Sequence, residues 1–174
     1  MYLFNMRFLI IFIFLITNVV AEELPGFKNI VIHKIPKTYN NVIFLDEKDQ
    51  KININQYKGN LLILNFWATW CEPCKEELPS LDKLQANPEL DKIKIFAINI
   101  GKETLNKVNK FFVDLNIKNL EHYFDPPNTL AKMFSLRGVP TSILINKDGQ
   151  EFARILGSID FEDTNFVNWI KKYN

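Results

Sequence analysis

A run of seven residues, Leu61–Trp67, is apolar except for Asn65, and it constrains the fold more than any other feature of this chain. Such a run is typical of a strand that is buried on both faces inside a sheet with parallel neighbours. Leucines at helical spacing follow between residues 78 and 84, and a second buried strand is predicted over Ile93–Ile100. The pattern therefore predicts a strand, a helix and a strand in succession, which is the basic unit of α/β proteins.

The flanking segments extend this unit into a larger α/β fold. Two short strands, Val42–Leu45 and Lys51–Ile54, flank a polar turn and predict a hairpin on the N-terminal side. Asp148-Gly149 predicts a second hairpin. The remaining predicted elements are a helix over 105–115, a short helix over 129–134, strands over 141–145 and 151–156, and a terminal helix over 161–172. Together they predict a central mixed sheet with helices on both faces.

Length and composition indicate one domain. With 174 residues, 47% of them hydrophobic, the chain can form one core but hardly two. Residues 41–174 are assigned to this domain. Residues 22–40 are assigned to an irregular lead-in, because Pro25, Gly26 and Pro36 interrupt their short apolar patches. The formal net charge of +1 excludes a field that would recruit nucleic acid or an anionic membrane surface.

Residues 1–21 are predicted to be an export segment. Arg7 precedes an apolar run from Phe8 to Ile16, and the small residues Val19 and Ala21 fit a signal-peptidase site. A cleaved signal peptide is the leading interpretation, and an uncleaved, tilted N-terminal membrane anchor is the alternative. Both interpretations place the rest of the chain in the periplasm or another extracytoplasmic space.

The only two cysteines, Cys71 and Cys74, follow the first buried strand and open the next helix. A disulfide between them would close too short a loop to constrain the unfolded chain, which favours a redox role over a structural one. A helix N-terminus stabilises a negative charge, so the pKa of the Cys71 thiol is expected to fall. Cys71, at the exposed end of the turn, is the predicted nucleophile, and Cys74, one turn inside the helix, is the predicted resolving thiol.

Metal binding is the alternative use of a cysteine pair at this spacing. The only histidines, His33 and His122, lie far from the cysteines and from each other in sequence, so the remaining ligands of a closed zinc or copper site are hard to supply. A copper-binding chaperone of oxidase assembly, with the cysteines as ligands, stays open as a hypothesis. No cofactor is expected beyond the cysteine pair itself.

Two segments carry a resemblance to a known family. Residues 65–79, which read NFWATWCEPCKEELP, resemble the active-site signature of the TlpA/ResA-like branch of the thioredoxin superfamily. Residues 138–141 resemble the cis-proline loop of that family, and the similarity extends loosely from about Phe44 to the C-terminus. Residues 153–157 resemble TlpA more than other members. The resemblance implies a thioredoxin fold, with the predicted hairpin as an N-terminal extension.

The resemblance also implies roles for individual residues. Pro140 would be the cis-proline beside Cys71, and the backbone of Val139 would pair with a bound substrate strand. Glu77 would carry a proton or tune the thiols, and a solvated glutamate on the helix surface is the equal alternative. Asn65 stands where thioredoxin itself has a buried aspartate, which makes Glu77 more important.

Other residues around the cysteines are candidates for contact with a substrate. Trp67 and Trp70 are predicted to form a wall of the site, although an aromatic next to a buried strand is equally often part of the core. Trp70, Glu72 and Pro73 are assigned to substrate binding together with Val139 and Pro140. Glu72 and Pro73 also set the redox potential, in a direction that sequence alone does not give. Pro79 is expected to kink the helix.

The predicted function is that of an exported thiol:disulfide oxidoreductase that reduces specific client disulfides. The resemblance implies apocytochrome c or copper-delivery proteins of cytochrome oxidase as clients, and a membrane thiol transporter as the electron donor. An oxidant that donates its disulfide to folding proteins is the alternative enzyme. A peroxidase is disfavoured, since Leu64 and Ala68 stand where the peroxiredoxin pattern requires Pro and Thr.

Overall fold

The computed structural model describes residues 26–126 and 128–174. The strands are β1 Ile30–Thr38, β2 Ile43–Leu45, β3 Lys51–Asn53, β4 Leu61–Trp67, β5 Ile93–Asn99, β6 His122–Phe124, β7 Thr141–Ile145 and β8 Gln150–Leu156. In this part of the chain they form one sheet of eight strands in the order β1-β8-β7-β4-β5-β6-β2-β3. The helices are α1 Glu72–Gln85, α2 Leu105–Asp114, α3 Thr129–Met133 and α4 Thr164–Ile170, with short 3-10 helices at Ile54–Tyr57 and Lys171–Tyr173.

The predicted strand–helix–strand unit lies at the centre of the sheet. All seven residues of β4 are buried, and β4 pairs in parallel with β5 and antiparallel with β7. Its side chains point alternately to two hydrophobic layers, with Trp67 in one and Phe66 in the other. Burial on both faces explains why this strand reads as continuously apolar.

Helices cover both faces of the sheet, which confirms the predicted fold class. Helices α1, α2 and α4 contribute buried residues to the layer that contains Trp67, whereas α3 packs with the layer that contains Phe66. Phe166, Trp169 and Ile170 dock the terminal helix α4 as predicted. The two hairpins pair antiparallel, β2 with β3 and β7 with β8.

The assignment of residues 22–40 to an irregular lead-in is wrong for Ile30–Thr38. This segment forms β1, an edge strand that pairs antiparallel with β8 across a register shift between Ile32 and Lys37. Its β-branched residues favour extended backbone, and β8 offers the hydrogen-bonding edge that they need. The domain therefore begins before residue 41. Sequence patterns also gave no sign of the three-residue strand β6.

The predicted export segment, residues 1–21, lies outside the described residues. Among the helices formed within residues 26–126 and 128–174, none has the length and apolar character needed to cross a membrane.

Candidate active site

The two cysteines form a disulfide at the N-terminus of α1, with an S–S distance of 2.05 Å. Cys71 is the N-cap residue of this helix, and its Sγ accepts a hydrogen bond from the Cys74 backbone N–H at 3.3 Å. An N-cap acceptor occupies the position where the helix dipole favours negative charge. The arrangement is therefore one that stabilises a Cys71 thiolate once the disulfide is reduced.

The two sulfur-bearing residues differ in access to solvent. Cys74 is fully buried, whereas 4% of the surface of Cys71 is exposed to solvent. In the disulfide form, Cys71 is thus less exposed than we expected from its place at the end of the turn. The residues beside it are open: Trp70 is 68% exposed, and Glu72 and Pro73 are exposed as well. These three side chains are therefore accessible to a partner, and their binding role stays a prediction.

Trp67 does not form a wall of the site. It is fully buried and stacks on Phe111 with 5.1 Å between ring centroids. The alternative interpretation of Trp67 as a core residue is the right one, because side chains of β4 alternate between two covered faces. Pro79 lies inside α1, which continues through it.

The cis-proline prediction is confirmed, since the Val139–Pro140 peptide bond is cis. Strand β7 begins one residue later and pairs antiparallel with β4, with Thr141 opposite Phe66. The Pro140 loop thus lies near the C-terminal end of β4, where the chain leaves the sheet towards the cysteines. The loop is fixed by a bond from Thr141 Oγ1 to the Gly138 carbonyl and by one from the Gly157 N–H to the Pro140 carbonyl, at 2.8 and 2.9 Å.

Glu77 is buried on α1, three residues after Cys74, with only 2% of its surface exposed. The alternative of a solvated glutamate on the helix surface is therefore wrong. Burial raises the pKa of the Glu77 carboxyl to about 8, although hydrogen bonds from the Asn65 side chain and the Ile159 backbone act to lower it. At neutral pH most of this carboxyl is protonated, so it can give up a proton.

Asn65 joins Glu77 to the sheet. Its Nδ2 donates to Glu77 Oε1 at 2.7 Å and to Ser142 Oγ at 2.9 Å, which links β4 to α1 and β7. Ser142 was not predicted as part of the site, because only the pairing of β7 with β4 places it next to Asn65. Glu77 also lines a cavity of about 500 Å³ against the loop that contains Ile159.

The two histidines have partners away from the cysteines. His33 Nε2 lies 2.6 Å from Glu151 Oε1, and the His122 ring packs edge-on against Phe112 and Phe124. Within the described part of the chain, no group of three or more His, Cys, Asp or Glu side chains is placed to hold a metal ion.

A redox disulfide at a helix N-terminus, a cis-proline on the neighbouring strand and a mixed sheet covered by helices define a thioredoxin-fold thiol:disulfide oxidoreductase. The chain belongs to the AhpC/TSA family, whose model matches residues 31–150.

Curated relatives carry the same activity in their names. The chain is 32% identical over 124 residues to the thiol-disulfide oxidoreductase ResA of Bacillus cereus, covering 71% of this chain and 70% of the relative. It is 29% identical over 121 residues to ResA of Geobacillus kaustophilus, covering 70% and 68%. The resemblance to the TlpA/ResA-like branch is thus confirmed at the level of ResA, and the finer likeness to TlpA stays a prediction.

Solved structures agree on the fold. The structure of StoA from Bacillus subtilis superposes with a TM-score of 0.62 at 26% identity, covering 77% of this chain and 98% of that one. A DsbF homologue from Corynebacterium diphtheriae gives a TM-score of 0.70 at 22% identity, covering 86% and 96%. The protein is a thiol:disulfide oxidoreductase of the ResA type.

Proposed function

We propose that the protein is an exported reductant that acts on the disulfides of specific client proteins. Cys71 is the nucleophile, Cys74 the resolving thiol and Glu77 the proton carrier. The clients are apocytochromes c or copper-delivery proteins of cytochrome oxidase, and a membrane thiol transporter restores the dithiol. The cysteine pair is the only redox group that the reaction requires.

The reaction is two successive thiol–disulfide exchanges. The Cys71 thiolate attacks one sulfur of the client disulfide, and the other client sulfur leaves as a thiolate that takes up a proton. Cys74 then loses its proton and attacks Cys71, which releases the second client thiol and forms the enzyme disulfide. The client gains two electrons and two protons. The enzyme loses two electrons and the Cys74 proton in these steps, and the second proton is the one that Cys71 released to solvent when its thiolate formed. Glu77 is buried on α1 three residues after Cys74, and with a pKa of about 8 its ionised form can take the Cys74 proton and its protonated form can return it.

The charges in the first turn of α1 support reduction over oxidation. A strongly oxidising disulfide requires a thiolate that is stabilised far beyond the ordinary case. Here the acidic Glu72 follows Cys71, and it pairs at 2.6 Å with Lys75, the cation of this turn. Pro73 lacks an N–H, which removes one of the donors that could stabilise a thiolate. An acidic neighbour beside Cys71 and a cation that is already paired with it are the observation that carries the proposed direction, because neither adds to the stabilisation that the helix N-terminus gives the thiolate.

The equilibrium redox potential tests the direction. The protein is equilibrated in thiol/disulfide buffers, and the fluorescence of the exposed Trp70 reports the state of the neighbouring pair, with Trp70→Phe as the control for the signal. A potential of about −270 mV or lower supports an exported reductant, whereas a value of about −120 mV would make the protein an oxidant of folding proteins.

The compartment and the client are tested separately. A C-terminally tagged chain is expected in the extracytoplasmic fraction, and removal of residues 1–21 is expected to leave it in the cytoplasm. The reduced protein is expected to convert the disulfide of an apocytochrome c haem-binding motif to thiols, as counted by alkylation and mass spectrometry. Cys74→Ser is the matched variant that stops at the mixed disulfide.

A further inference from the structure

A second cavity, of about 520 Å³, lies beside the active site where the chain leaves β2, β5 and β6. The carboxyl ends of neighbouring parallel strands are where open α/β sheets bind ligands. Five acidic side chains and one basic side chain, Lys102, are among the described residues that line this cavity; the acidic residues are Asp46, Glu47, Asp49, Glu103 and Asp125. Asp125 already accepts hydrogen bonds from the N-terminus of α3, and one oxygen of Asp46 accepts two from its own turn. The cavity therefore favours a positively charged group.

Buried polar atoms in this wall have no partner. Asn99 is 1% exposed, and neither its Nδ2 nor its Oδ1 forms a hydrogen bond within residues 26–126 and 128–174. Glu103 Oε2 is also buried without a partner there. Buried polar groups are almost always hydrogen-bonded, so this set has the chemistry of a binding site for a group that brings its own N–H donors.

Glu103 is connected to the cysteines through the loop that precedes them. Its Oε1 accepts hydrogen bonds from the Thr69 N–H at 3.2 Å and from Thr69 Oγ1 at 2.7 Å, and Thr69 lies two residues before Cys71. The Glu103 carboxylate lies against Gly101, in the space that a Cβ at that position would occupy. The carboxylate is thus held in place, with one oxygen on the active-site loop and the other in the cavity wall.

We propose that this cavity binds a lysine or arginine side chain that flanks the disulfide cysteine of the client, which makes it a determinant of client choice. This inference rests on the proposed function. The cationic head would donate to Glu103 Oε2 and Asn99 Oδ1, and the apolar stem would lie along Leu105 and Phe124, which line the same cavity.

The test compares two short peptides that differ only in having lysine or glutamate on both sides of a single cysteine, which is joined to glutathione by a disulfide. The reduced protein is mixed with each peptide, and the second-order rate constant is followed by tryptophan fluorescence. We expect the lysine peptide to react on the order of tenfold faster, the effect of one charge-assisted hydrogen bond. Glu103→Gln keeps an acceptor for Thr69 and should lower the ratio of rate constants several-fold, because the hydrogen bond to a charged carboxylate is lost while the other acidic side chains of the wall remain.

Matched variants separate the cavity from general charge effects. Glu47→Lys should lower the preference for lysine, whereas Asp148→Lys, the same change of sign in the β7–β8 turn, should leave it unchanged. An equal redox potential for Glu103→Gln and the wild type shows that the cysteines themselves are unaffected. A wild-type preference that Glu103→Gln leaves intact, or no preference at all, overturns the proposal while leaving the reductase function in place.

If neither peptide is reduced, the proposed function fails. Binding of the peptides to the cavity is then measured directly. Peptides with serine in place of cysteine are titrated into ¹⁵N-labelled protein, and the side-chain amide of Asn99 is observed by NMR. A shift with the lysine peptide that is absent with the glutamate peptide and lost in Glu103→Gln supports the site. Equal or absent shifts with both peptides overturn it.

Discussion

Glu77→Gln tests whether α1 carries a buried, protonated carboxyl one turn after Cys74. Glutamine has nearly the same shape and keeps an oxygen that can accept from Asn65, but it cannot ionise. In the wild-type protein, burial raises the pKa of Glu77 from 4.5 to about 8. The folded protein therefore holds this proton more tightly than the unfolded chain does, and stability from Glu77 is fully present below about pH 4.5 and is lost as the pH rises through about 8.

The size of this loss follows from the two pKa values. Relative to low pH, the raised pKa of Glu77 lowers the free energy of unfolding by about 1 kcal/mol at about pH 5 and about 3 kcal/mol at about pH 7. Above about pH 9 the loss is on the order of 5 kcal/mol. The Gln variant carries no such cost. The difference in free energy of unfolding between variant and wild type should thus grow by about 2 kcal/mol between about pH 5 and pH 7 in favour of the variant.

Urea unfolding of the oxidised proteins, followed by circular dichroism at each pH, measures this difference. Any fixed loss or gain of a hydrogen bond in the variant shifts all values equally and cancels from the trend. Glu76→Gln, on the exposed side of α1, is the matched control and should give a difference that does not change with pH. A pH-independent difference for Glu77→Gln would refute the burial argument and with it the role of Glu77 as a proton carrier.

Three further predictions concern the rest of the molecule. Cys74→Ser should accumulate a mixed disulfide between Cys71 and a client, visible by mass spectrometry as a covalent complex that dithiothreitol removes; a free client thiol without the complex would contradict the assigned order of attack. Asn65→Ala should raise the pKa of Glu77, because a hydrogen bond that lowers it is lost, and ¹³C NMR titration of the carboxyl measures the change. Glu151→Gln should lower the free energy of unfolding by about 3 kcal/mol, because it removes the carboxylate that pairs with the guanidinium of Arg154 at 2.6 Å. Urea unfolding measures this change. A loss of less than about 1 kcal/mol, the size of an exposed ion pair, would show that this pair contributes little to stability.

The parts of the site that could be predicted from sequence are those fixed by neighbours in the chain. The apolar run of β4 gives a buried strand, and the spacing of the cysteines behind it gives a redox pair at a helix N-terminus. The cis geometry at Pro140 came from resemblance to a motif rather than from pattern. In each case a short stretch of chain carries the whole signal.

The parts that could not be predicted depend on contacts between distant segments. Strand β1 requires the edge of β8, more than a hundred residues further along, and nothing within Ile30–Thr38 reveals that edge. The burial of Glu77 arises in the same way, since the segment around Ile159 covers the helix at that point. Helical spacing places a glutamate on one side of α1, but whether that side meets solvent or another loop is a property of the folded chain.

Two glutamates, one on α1 and one bonded to the loop before Cys71, show that the same residue type can serve separate roles in different environments. Glu77 meets an amide, Asn65, in a buried setting that favours the neutral carboxyl, so it is suited to moving a proton to or from Cys74. Glu103 is held by two donors from Thr69 and turns its other oxygen to a cavity with an acidic wall, so it is suited to attracting a cation. Because the two groups act on different properties, their Gln variants should be separable. Glu77→Gln should alter the pH dependence of the reaction and leave the preference for a lysine-flanked client unchanged, whereas Glu103→Gln should do the reverse.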